Sequence, residues 1–186
     1  MDIFIIILVI LLATAIVDLM VGVANDAVNF LNSAIGAKVA PRVVIMIIAT
    51  LGIVVGVTFS SGLMEVARKG IFNPQFLTFP EVMFIFVATM LTDVLLLDFF
   101  NTFGLPTSTT VSLVFELLGS AFAISTIKVI QSGNGGVGDV FMYINTASVF
   151  KIVFGIVASV IVAFIVGSVV QYFSRMLFTF DYGKRL

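Results

Sequence analysis

Val43-Val-Ile-Met-Ile-Ile-Ala-Thr-Leu-Gly-Ile-Val-Val-Gly-Val-Thr-Phe-Ser-Ser-Gly-Leu-Met64 runs for 22 residues without a charged side chain, and Ile152–Ser174 runs for 23. A helix needs roughly 20 apolar residues to cross ~30 Å of hydrocarbon, so each stretch is long enough to span a bilayer. Working outward from them, three more apolar segments come into view. The first runs from Ile3 to about Ala24, the third from about Val82 to Phe100 and the fourth from Val111 to Ile130. The runs are continuous rather than alternating with period two, which excludes a transmembrane β-barrel. The expected fold is all-α: a polytopic helical membrane protein of about five transmembrane segments.

The whole chain agrees. Of 186 residues 61% are apolar and 10% charged, and the mean hydropathy is +1.27. A soluble domain carries about 25% charged residues, so an aqueous globule is excluded. There is no cysteine and no histidine, which removes disulfides, thiolate metal sites and the usual general base. A net charge of −1 with no basic run speaks against nucleic acid as a partner. Met1-Asp2 is followed at once by Ile3–Val17 with no positive n-region, which reads as a retained span rather than a signal peptide. The bilayer is the expected surrounding, as a multi-pass protein of the cell (inner) membrane.

The connections divide the chain. Residues 1–130 hold four segments, 131–139 a glycine-rich loop, 140–177 the last transmembrane helix and 178–186 a short tail. If each segment crosses once, Lys38, Arg42, Arg175, Lys184 and Arg185 share a side, against Arg68, Lys69 and Lys128. The positive-inside rule then puts the N-terminus outside and the C-terminus in the cytoplasm. In the last segment Gly155, Ser159, Ala163 and Gly167 recur every four residues. Small residues at that spacing suit close helix packing, within the chain or between copies of a homo-oligomer.

Carboxylates are costly in hydrocarbon, by ~2.5–3.5 kcal/mol on insertion scales. Yet Asp18, Asp26, Asp93, Asp98 and Glu116 all lie within or at the edges of apolar segments, with only Lys128 and Lys151 near the spans. Acids without internal counter-charges need protons or imported cations, which hints at cation coupling. Two polar clusters accompany them. In the first, Asp18, Gly22, Asn25, Asn29 and Ser33 form one helical stripe. Asn25 and Asp26 also suit a helix N-terminus, so a break near Asp26 is expected, giving a half-helix. In the second, Asn101–Thr110, Gly104 and Pro106 disfavour helix and Ser108, Thr109 and Thr110 begin the fourth span.

Half-helix amides and hydroxyls suit an oxyanion, and two broken or re-entrant segments point to a transporter site. The plain alternatives are helix–helix glue for the first cluster and a surface loop for the second. Asp93, Leu97 and Asn101 share a face, so Asp93 is expected to support the second cluster. Glu116 lies one turn beyond Ser112, where it could simply serve a hydrogen bond. An intramembrane aspartyl protease using Asp93 and Asp98 is disfavoured, because the two acids are five residues apart on one segment.

At this point a family resemblance enters. Val23-Ala-Asn-Asp-Ala-Val-Asn29 resembles the Gly-Ala-Asn-Asp-x-Ala-Asn signature of the inorganic phosphate transporter (PiT) family. Glu65-Val-Ala-Arg-Lys-Gly-Ile71 looks like that family's Glu-x-x-Arg-Lys-Gly-Ile, and Gly104-Leu-Pro-Thr-Ser-Thr-Thr110 is similar to its Gly-x-Pro-Val-Ser-Thr-Thr-His element. The three stand in the family's order over about residues 18–119. The resemblance implies secondary transport of inorganic phosphate, coupled to sodium ion or proton, with no other cofactor and no enzymatic activity. It implies that Asn25, Asp26, Asn29, Ser108, Thr109 and Thr110 contact phosphate or the coupling cation, with Asp26 and Asn25 as possible sodium ligands.

The chain also departs from the pattern. Val23 replaces a glycine, Val111 stands in place of histidine, Phe115 and Glu116 replace small residues, and the second span lacks a carboxylate. The family has two inverted repeats and this sequence supplies about one. A missing C-terminal repeat, or a second copy, is therefore an expected partner. Sulfate carriage, or a non-transporting membrane subunit, are the rival readings.

Overall fold

A computed structural model of the chain describes residues 3–60, 70–133 and 136–178. It is helical, with α1 over Ile3–Gly36, α2 over Arg42–Thr58, α3 over Phe79–Thr102, α4 over Thr109–Ser132 and α5 over Thr146–Phe178. Two 3-10 turns, Pro74–Phe76 and Val137–Met142, complete it. Four of the helices are long and apolar enough to cross a membrane, over Ile3–Ala27, Phe79–Thr102, Thr109–Ser132 and Thr146–Leu177. The 17-residue α2 is apolar but shorter. Residues 61–64 of the expected second span, residues 65–69 of the Glu65–Ile71 element and the tail beyond Phe178 lie outside the described residues.

The chain divides into two units, Met1–Thr146 and Ala147–Leu186. In the first, α1 packs on α3, and α3 on α4. Ile85, Thr89, Asp93 and Leu97 form the buried stripe of α3, and Leu117, Ala121, Ser125 and Val129 that of α4. Both repeat every four residues, which keeps one face turned to a neighbour. Thr89, Ala121 and Ser125 are small, so the two backbones approach closely, as helices in lipid do. Outward positions carry large apolar residues such as Leu12, Leu19, Met20, Leu95 and Phe115; in a bilayer these meet acyl chains, which apolar side chains do not avoid. The second unit is essentially α5, on which Gly155, Ser159, Ala163 and Gly167 share a face.

Local sequence sets the boundaries. Thr78 and Glu81 form a capping box at the start of α3, with the Thr78 amide donating to Glu81 Oε2 at 2.6 Å. At its end, Leu105 N donates to Phe100 O at 2.9 Å and Gly104 N to Asn101 O at 3.1 Å. Gly104 has φ +65°. This is a Schellman stop, whose left-handed residue is best supplied by glycine. Pro106 follows and Ser108 caps α4, its Oγ accepting from Val111 N at 3.4 Å.

One expectation is corrected here. α1 continues without interruption through Asn25 and Asp26, and α3 and α4 are each 24 residues long. The irregular backbone is a connection, 103–108, between two full helices, not the start of a half-helix. The physical reason lies in what the side chains of Asn25 and Asp26 reach. Their partners are on the 101–109 segment, so they are not engaged in capping amides of their own helix. The last helix also begins at Thr146 rather than at 140, because the stretch before it forms the Val137–Met142 turn.

Candidate functional site

The C-terminal half of α1 grips the turn between α3 and α4. Asn25, 2% exposed, donates through Nδ2 to Asn101 Oδ1 at 2.9 Å and accepts at Oδ1 from Thr107 N at 3.2 Å. Asn101 in turn donates to Val21 O at 3.0 Å. One turn further along α1, Asn29 Nδ2 donates to Thr107 O at 3.0 Å. Thr109 Oγ1 donates to the Asp26 carboxylate, at 3.3 Å and 3.4 Å from its two oxygens. The two motifs, some 80 residues apart in sequence, are therefore one structure, where α1 runs past the turn that joins α3 to α4. Irregular backbone at such a place must have its polar groups satisfied by protein, and these amides do so.

Gly22 explains the close approach. A Cβ there would meet Leu97 Cδ1 at 3.6 Å and Thr109 Cγ2 at 4.0 Å, so α1 touches both α3 and the start of α4 at that position.

Beside this junction lies an open cleft of about 240 Å³, lined among others by Asp18, Asp26, Asp93, Thr109 and Thr110. A water molecule's share of liquid volume is about 30 Å³, so the cleft has room for a tetrahedral oxyanion with an ion beside it. The residues singled out from sequence divide here. Asp26, Thr109 and Thr110 line the cleft. Asn25 does not; it lines a smaller pocket of about 50 Å³ with Asn101, Gly104 and Pro106. Its amide is engaged at both ends, as is the Asn29 donor, so these two build the junction. Ser108 is exposed and caps α4. The first amides of any α-helix lack intrahelical acceptors, and those of α4 start next to Asp26.

Asn101 and Thr107 hold the junction as well, although the sequence motifs do not point to them as site residues. The Asp93–Leu97–Asn101 face was the available signal for Asn101; for Thr107 there was none, because its backbone makes the contacts. Deeper along the helices, the Asp18 carboxyl faces that of Asp93, which faces Glu116 and Ser112. Ser112 Oγ donates to Glu116 Oε1 at 2.7 Å, the local bond that their spacing suggests. Asp98, by contrast, is exposed. It does not join Asp93, and the two do not form a catalytic pair.

The other end of the unit is differently made. Lys128 Nζ meets Glu81 Oε2 at 2.9 Å and Phe76 O at 3.0 Å, and lies 5.4 Å from the centre of the Tyr143 ring. Phe72 pairs with Ile144 in an isolated bridge, and Asn73 N and Asn145 N donate to Tyr143 O and Ile71 O.

Comparison with known proteins follows the same lines. A relative from Thermococcus kodakarensis, named "Putative phosphate permease", is 32% identical over 112 residues, covering 59% of this chain and 28% of that protein. A second of the same name, from Pyrococcus furiosus, is 30% identical over 110 residues, covering 58% of this chain and 27% of the relative. The matched part thus spans under a third of the length of either relative. No solved structure matches the chain. A family model described as the phosphate transporter family matches residues 22–184, from the glycine that lets α1 meet α4 to beyond the end of α5. This multi-spanning helical membrane protein belongs to the phosphate transporter family.

Proposed function

We propose that the chain is one half of a secondary carrier of inorganic phosphate, driven by a sodium ion or proton gradient. The observation that carries this reading is the Asp26–Thr109 contact in the lining of a cleft that also holds Thr110. Phosphate would give up water to the Thr109 and Thr110 hydroxyls and to the amides that begin α4, which favour an anion. Asp26 is a poor neighbour for an anion by itself. Two like charges ~4 Å apart repel by about 4 kcal/mol at an effective dielectric near 20. A cation or proton on Asp26 reverses that sign, so anion and escort bind together. Asn25 and Asn29 hold the geometry, and Asn25 retains a lone pair that could help to hold sodium.

The family membership and the name carried by the two relatives support phosphate as the cargo. Because the matched part spans under a third of those relatives, a second repeat, in the remainder of a longer chain or in a second copy, would complete the path. Alternating access would then be one repeat rocking against the other around the cleft.

The test is uptake of radiolabelled phosphate into vesicles holding the intact carrier. Accumulation under a sodium or proton gradient, with sulfate failing to compete, is the expected result. No accumulation under either gradient overturns the reading, and equal competition by sulfate replaces phosphate with a broader class of oxyanion.

A further inference from the structure

Asp18 on α1, Asp93 on α3 and Glu116 on α4 belong to none of the family motifs, yet the three helices bring them together. Asp93 is central: it is 4% exposed, faces Asp18 on one side, and faces Glu116 with the Ser112 hydroxyl on the other. Each acid keeps a buried oxygen without a hydrogen-bond partner: Asp18 Oδ1, Asp93 Oδ1 and Glu116 Oε2. Asp93 lines the cleft of the candidate site together with Asp18 and, further along α1, Asp26. Glu116 and Ser112 line a separate cleft of about 690 Å³ on the other flank of the α3–α4 seam. The two clefts share no lining residue. The acid row therefore crosses the seam between them.

Such a row does not stand with every carboxyl ionised. Like charges at contact distance in low dielectric oppose one another, and two carboxyls sharing a site settle by sharing a proton. Along α1, α3 and α4 the single basic residue is Lys128, twelve residues from Glu116, roughly 18 Å at 1.5 Å per residue. It is already engaged by Glu81. A bound metal ion is the other way to neutralise carboxylates. Among the described residues, however, no group of three His, Cys, Asp or Glu side chains is so placed that it could hold one.

We propose that Asp18, Asp93 and Glu116 form a proton-sharing relay that joins the two clefts across the α3–α4 seam. A proton on the Asp93 carboxyl passes to the Glu116 carboxylate, and Asp93 is refilled from Asp18. Each step breaks one O–H bond and forms another, and no other reactant is needed. The relay would serve the carrier proposed above as the place where a coupling proton resides. For that purpose alone it rests on the transport reading.

Infrared spectroscopy of the chain in lipid nanodiscs tests it. At neutral pH the wild type is expected to show the carbonyl band of a protonated carboxylic acid, displaced by exchange into deuterated water. D18N, D93N and E116Q should each shift or at least halve that band, because the proton is shared. D93E should restore it, and E81Q, at the paired acid, should leave it unchanged. Circular dichroism identifies any variant that fails to fold, and the wild-type spectrum decides even if all three do. No band in the wild type, a band left unchanged by D93N in folded protein, or a band abolished by sodium but not by potassium at constant pH would each overturn the relay. The measurement uses no phosphate. Its failure leaves the phosphate reading standing, and failed uptake leaves the relay standing.

Discussion

Glu81 and Asp93 sit twelve residues apart on the same helix, in opposite circumstances. Glu81 lies at the first turn of α3, where it accepts from the Thr78 amide at 2.6 Å and meets Lys128 at 2.9 Å. Asp93 lies in the middle, 4% exposed, with one oxygen unpartnered and two further acids beside it. The first arrangement is what stabilises a helix start: an acid near the positive end of the dipole, matched by a base from the neighbouring helix. The second stabilises nothing by itself, since carboxylates without counter-charge are costly in an apolar surrounding. An acid kept under those conditions is a candidate for handling charge that arrives from outside. Asp26 belongs with Asp93 in this respect, because its partner is a hydroxyl and not a cation.

The contrast is broken or sharpened by substitution. The largest difference is expected in uptake by the intact carrier: D26N should reduce gradient-driven phosphate accumulation to background while the protein still inserts. E81Q should stay near wild type in the same assay. Equal effects of the two would erase the distinction between working and structural acids. Next in size is the junction. N25L strands Asn101 Oδ1 and the Thr107 amide, and should lower stability by about 1–2 kcal/mol on the scale of interhelical hydrogen bonds in membranes. Thermal unfolding in detergent reads this directly.

A smaller loss is expected from G104A. The left-handed turn at φ +65° costs an alanine about 1 kcal/mol more than a glycine, although a Cβ there meets nothing within 4 Å. The smallest effect should come from K128M. The pair it breaks is partly exposed, at 29% and 26%, and such pairs contribute under about 1 kcal/mol. Stability should fall slightly, more at low salt than at high salt, and phosphate uptake should not change. A large loss of uptake in K128M would mean that the paired end takes part in transport.

Part of this was legible along the chain. The spans followed from uncharged runs such as Ile152–Ser174, because length against bilayer thickness is a one-dimensional criterion. The stop at Gly104 and Pro106, with Ser108, Thr109 and Thr110 at the start of the next span, followed from residue chemistry that acts within a turn. The polar stripe through Asp18, Gly22, Asn25 and Asn29 is visible from helical spacing, and the structure turns its Gly22, Asn25 and Asn29 toward α3 and the 101–109 segment. The break expected at Asp26 was the error. Asn and Asp are good caps, and nothing local says whether such a side chain will instead find a partner on another helix. Here Asn101, Thr107 and Thr109 provided one.

The sequence by itself determined that the chain enters a membrane as helices, that it carries the motifs of a phosphate transporter, and that its acids outnumber the bases available to them within the spans. These are properties of composition and short spacing, which survive without knowledge of neighbours. Only the tertiary structure decided which acid is matched and which is not. It also decided that Asn25 is a brace while Asp26 faces a cleft, and that Asp18, Asp93 and Glu116 meet. Those outcomes depend on how three helices are rotated and how closely small residues such as Gly22 let them approach. That information resides in the packing of residues far apart in sequence rather than in any one stretch of it.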